Sequence, residues 1–191
     1  MIIPDQLIDR TKRRIDTYFG DGVVGHILFT EPFCRMLSQI VYDSAKDIGT
    51  TTHQHGTCVV IEGPALSTKA ESQSYRLIGA DMVSMTMLPE AKLAREAEIC
   101  YAAIGCVTDY DCQRLVCDET TMDAIVDIQH LNAQLIKDVI KLAVDKIPQQ
   151  RNCSCANALK GAIETPPELI PDTQKQNLDL LLREYLDRNR P

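Results

Sequence analysis

Two aspartates one residue apart, in the run Thr108-Asp109-Tyr110-Asp111, close the apolar segment ICYAAIGCV. Ending a buried segment on two carboxylates is costly unless they are paired or used. In a crevice, one carboxylate can accept a hydrogen bond from an exocyclic amine. A protonated one can donate to a ring nitrogen as a leaving base departs. An aspartate that only caps the next turn is the competing role, and the residues alone leave both open.

Two other segments have similar promise. Glu62-Gly63-Pro64-Ala65-Leu66-Ser67-Thr68 follows the apolar run GTCVVI, the place where α/β sheets put ligand crevices, and its glycine allows close backbone approach. Its simpler role is a β-to-α turn with Ser67 or Thr68 as helix cap. Ser84-Met85-Thr86-Met87-Leu88-Pro89-Glu90 also opens a helix, where free N–H groups suit an anion. Thr86 could donate to a phosphate or cap that helix.

The remaining candidates are weaker. His53 and His55 read as surface residues. His26 sits in an apolar run and reads as a core histidine. Cys34, Cys58, Cys100, Cys106, Cys112 and Cys117 lie in or beside apolar segments and read as small core residues. No pair has C-x2-C spacing, so no metal site is expected. Cys153-Ser154-Cys155 falls in a polar stretch and reads as accessible thiols, open to redox chemistry or incidental.

Short β-branched runs alternating with longer segments of helical period indicate an α/β fold, a mixed, mostly parallel sheet flanked by helices. Strands are expected at 22–29, 56–63, 81–86 and 99–111, and helices at 31–48, 69–78, 90–98, 121–147 and 172–186. The long helix places Met122, Ile125, Ile128, Leu131, Leu135, Val139, Leu142 and Val144 at helical spacing, to pack on the sheet. The whole chain reads as one domain, 1–191, with an extension at 149–191 ending in a helix.

With 191 residues, 45% apolar and 25% charged, the chain has the composition of a globular domain. A domain of this size buries roughly 70% of its unfolded surface without staples. A net charge of −7 argues against nucleic-acid or anionic-membrane binding. No run approaches the ~18 apolar residues of a membrane span, and a cytoplasmic protein is expected.

The stretch VVIEGPALSTKAESQSYRLIGADMVSMTMLPEAKLAREAEICYAAIGCVTDYDC resembles the 5′-methylthioadenosine phosphorylases of the trimeric purine nucleoside phosphorylase superfamily. The likeness extends upstream through IIPDQLIDRTKRR and HILFTEPFC, and downstream through the long helix to CSCANALKGAI. It implies a nucleoside phosphorylase-like fold and phosphate attack on C1′ of methylthioadenosine, yielding adenine and methylthioribose 1-phosphate. Phosphate is then a co-substrate, with no organic cofactor or metal.

By motif position the resemblance places Asp109 and Asp111 against adenine N6 and N7, with Asp109 as the catalytic residue that helps the purine leave. Met85 would lie on the ribose, Thr86 on phosphate, and Ser67 and Leu66 beside the base. Met122, Ile125 and Val126 would line the methylthio pocket. His26 would reach a neighbouring subunit's site, which implies a homotrimer. The C-x-C pair can form a disulfide in some members of the family.

Three departures stand out. Leu66 replaces a stacking phenylalanine, which weakens base binding by about 1 kcal/mol. Ala65 and Gln113 replace a common arginine and tryptophan. The N-terminal portion that carries the family's Gly-rich turn and phosphate-gripping loops has no counterpart here, so the fold is expected to be N-terminally incomplete. Two other functions stay open: a nucleoside-binding or oligomerisation module without turnover, and a phosphorylase for another purine nucleoside.

Overall fold

The computed structural model describes residues 1–110 and 122–186. Its centre is a three-stranded parallel sheet, ordered β2 (Gln6–Arg10), β4 (Thr57–Ile61), β5 (Met82–Ser84). A second parallel pair joins β1 (Ile2–Ile3) to β3 (His53–Gln54). Register aligns Arg10 with Ile61 and Val60 with Ser84, so all three strands of the larger sheet end at one edge.

β4 occupies the middle because TCVVI is apolar on both faces, as a strand covered from two sides must be. Cys58 and Val60 point to a cluster with Phe33, Met87, Leu88, Ala91 and Ala103. Val59 and Ile61 point the other way, to Tyr75, Ile8, Val83 and Met85. Helix α2 (Lys69–Leu77) supplies Tyr75, and α3 (Glu90–Glu96) supplies Ala91. The chain is therefore an α/β fold of parallel sheets and helices.

Helix α1 (Arg35–Asp47) starts later than position 31 because Pro32 disfavours helix at the residue before it. The Cys34 N–H is also drawn to the Tyr101 carbonyl at 2.7 Å. Helix α4 (Met122–Lys146) lies on α1, burying Val139 and Ala143 against Ile3, Val41 and Ala45. The expected stripe is thereby corrected. Asn132, Ile136, Val139 and Ala143 turn inward, while Leu131 and Val144 are exposed. Packing on α1 rather than squarely on the sheet rotates the buried face. No helix among the described residues is long and apolar enough to cross a membrane.

Two expected strands are extended segments without ladders. Residue 25 bridges only to Ile163, and Gly105 only to Ile2. The alternation in 22–29 is real, but Val23 and Ile27 face a C-terminal cluster of Phe19, Leu159, Ala162, Ile170, Leu178 and Leu182 instead of the sheet. The final helix divides at buried Leu178 into α5 (Asp172–Asn177) and α6 (Asp179–Leu186). β2 was not expected, since Asp9 and Arg10 interrupt its apolar pattern.

Candidate functional site

The loops leaving β2, β4 and β5 meet at the shared strand-end edge, where an open α/β sheet positions a ligand. Arg14, on the loop after β2, fastens them together. Its Nη2 donates to the carbonyls of Met85 at 2.8 Å, Ile61 at 3.2 Å and Glu62 at 3.3 Å, and Nη1 donates to that of Leu88. Its Nε lies 3.7 Å from the Glu62 carboxylate. A guanidinium has donors enough, in a fixed plane, to satisfy carbonyls from several loop residues at once. Sequence reasoning missed this residue, because its partners are 47 to 74 positions away.

Glu62 closes the same junction by accepting from the Lys12 N–H at 2.7 Å. That backbone bond, with those of Arg13 and the charge of Arg14, holds its carboxyl below the usual range. It is thus a carboxylate engaged in holding the loop. Behind it, Met85 Sδ lies 2.6 Å from where a Cβ on Gly63 would stand, and Gly63 has φ +69°. The candidate segments 62–68 and 84–90 are in direct contact at this point.

Thr68, not Ser67, caps α2: its hydroxyl accepts from the Glu71 N–H while Glu71 reaches back to the Thr68 N–H. Ser67 is half-buried beside it and free of that duty, and Leu66 is 66% exposed. Thr86 does not cap α3, whose first turn follows Pro89 without a side-chain cap. Its exposed hydroxyl instead lies 2.9 Å from that of Ser84. Ser84 also accepts from the Thr86 N–H.

Asp109 is exposed and accepts a hydrogen bond from Thr108 at 2.9 Å. Asp111 and the side chain of Met122 lie outside the described residues. Ile125 is half-buried and Val126 exposed, both near the start of α4. His26 is exposed rather than in the core. Its backbone N–H bonds to Ala162, and it lines a concavity of about 280 Å³ with Arg95, Asn157 and Lys160. A larger cleft, about 550 Å³, lies between Leu28, Arg95 and Cys153. Neither includes a residue of the strand-end edge.

The model of the phosphorylase superfamily matches residues 1–144. The chain belongs to this superfamily. Among its relatives within the superfamily is the S-methyl-5′-thioadenosine phosphorylase of Geobacter sulfurreducens. It is 48% identical over 187 residues, spanning 97% of this chain and 65% of that protein. Another of that name, from Saccharolobus solfataricus, is 39% identical over 85% of this chain and 61% of its own.

Solved phosphorylase structures agree. A methylthioadenosine phosphorylase from an antarctic soil metagenomic library is 40% identical with a TM-score of 0.87, over 95% of this chain and 64% of that one. The Schistosoma mansoni methylthioadenosine phosphorylase in complex with tubercidin is 28% identical with a TM-score of 0.74, over 84% and 63%. The chain therefore spans a little under two thirds of these relatives' length.

Proposed function

We propose that this phosphorylase-superfamily chain cleaves S-methyl-5′-thioadenosine with inorganic phosphate. The observation that carries the reading is the 48% identity to a relative of that name along 97% of the chain. A phosphate oxygen forms the bond to C1′ as the C1′–N9 bond breaks. The bonding pair passes to the purine, and Asp109 in its acid form gives a proton to N7 as the base leaves. The products are adenine and 5-methylthioribose 1-phosphate.

In this reading Asp111 accepts from the 6-amino group, a preference that suits a carboxylate, whereas a 6-oxo purine would favour an amide. Met85, set by Gly63 and Arg14, lies on the ribose, and the Thr86 hydroxyl donates to phosphate. Ser67 and Leu66 border the base. Met122, Ile125 and Val126 receive the methylthio group. His26, which is exposed, reaches the site of a neighbour in a homotrimer. Phosphate enters as co-substrate, and the enzyme acts in the cytoplasm.

Phosphate-dependent base release should be compared for methylthioadenosine, adenosine and inosine. The proposal expects methylthioadenosine to have the highest kcat/KM and inosine to be poor. A preference for inosine overturns the role of the acidic pair. Binding of methylthioadenosine without turnover would make the chain a nucleoside-binding module.

A further inference from the structure

Four cysteines from three separated segments converge beside the larger cleft. Cys34 precedes α1, Cys100 follows α3, and Cys153 and Cys155 flank the entry to a short 3-10 turn (Ser154–Asn157). Their Sγ atoms all lie within 4.8 Å of one another, and Cys100 and Cys153 are 3.3 Å apart. All four are free thiols. Cys34 and Cys155 are buried, at 2% and 3% exposure, while Cys100 and Cys153 are partly open to the outside.

We propose that these residues form a tetrathiolate site for a divalent zinc ion. Four sulfurs around zinc at about 2.3 Å define a tetrahedron with edges of roughly 3.8 Å, close to the spacing already present. The donor set is wholly soft, which selects zinc over calcium, magnesium or manganese. Cys34, Cys153 and Cys155 line the cleft, and the partly open Cys153 gives an entry path from it.

A divalent ion with four thiolates carries a net charge of −2, and the cleft beside it is lined by Arg35, paired with Glu31, and by Arg95, which leaves the lining net positive. Arg151, two residues before Cys153, is held by donation to the Glu98 carbonyl at 2.7 Å. With no open coordination position, the ion would be structural. It would pin the C-terminal segment to the start of α1 and the end of α3, beside the hydrogen bonds that Arg151 and Leu159 already make to Glu98. Cys153 and Cys155 are close in sequence, at C-x-C rather than C-x2-C spacing, while Cys34 and Cys100 are far from them, so the sequence does not announce the set.

The test uses the full chain, purified with reductant and then freed of reductant under argon. Cobalt titration should give intense visible bands and thiolate-to-cobalt charge transfer, saturating at one ion per chain. Zinc should then displace cobalt. Cys153→Ser, at a partly open position, should weaken binding by on the order of 10- to 100-fold and blue-shift the bands. Cys106→Ser, outside the cluster, should leave both unchanged. A pale octahedral spectrum from wild type overturns the proposal. So does peptide mapping of aerobically purified, unreduced chain that finds disulfides within the cluster and no retained zinc.

Discussion

A Cβ placed on Gly63 would stand 2.6 Å from Met85 Sδ, so the turn after β4 and the turn after β5 touch here and any side chain at residue 63 would push the Met85 side chain aside. The φ of +69° at Gly63 adds a second reason for glycine there. Gly63→Ala should cost about 1–3 kcal/mol through strain and overpacking, readable by denaturant melting. Adding Met85→Ala should recover the packing part and leave the backbone part. Full additivity of the two losses would show that the residues do not meet.

Arg14 joins the same loops by carbonyl recognition. Arg14→Ala should destabilise the chain by roughly 2–3 kcal/mol, since it removes several hydrogen bonds from a charged donor. Arg14→Lys should rescue little, because an ammonium cannot span carbonyls that lie apart in one plane. Thermal melts of both variants decide it; full rescue by lysine would mean that charge alone matters.

These two relationships mark where the sequence was legible and where it was not. Helices α1, α2 and α3 and strand β4 were readable because period and stop signals act locally, as with Thr68 and Glu71 at the start of α2. The ladders expected at 22–29 and 99–111 were not found, because alternation reveals a buried face but not the neighbour that covers it. Arg14 was invisible for the same reason: an arginine in TKRR has no local signature of four distant carbonyls. The segments at 62–68 and 84–90 were each legible as a strand end, and the pairing of β4 with β5 makes them neighbours. The contact between Gly63 and Met85 required their three-dimensional arrangement.

Lys92 of α3 bridges Asp9 at the end of β2 and Asp16, at 2.7 Å to Asp9. Partial burial raises the Asp9 carboxyl, but hydrogen bonds and charge from Lys92 and Thr11 outweigh it, and its pKa falls below the ordinary 3.8. The carboxylate is thus favoured by folding. Its contribution is complete above that ordinary value and is lost as pH falls through the lower folded one. Asp9→Asn should therefore lower stability near pH 7 and flatten the loss at acid pH. A variant whose acid limb matches wild type would contradict the linkage.

The acid role proposed for Asp109 is tested most directly by adenine release from methylthioadenosine at saturating phosphate. Asp109→Asn should lower kcat by on the order of 100-fold or more, the usual contribution of a positioned general acid. Lys69→Ala, in the exposed first turn of α2, should match wild type. Equal turnover by wild type, Asp109→Asn and Lys69→Ala would contradict the account.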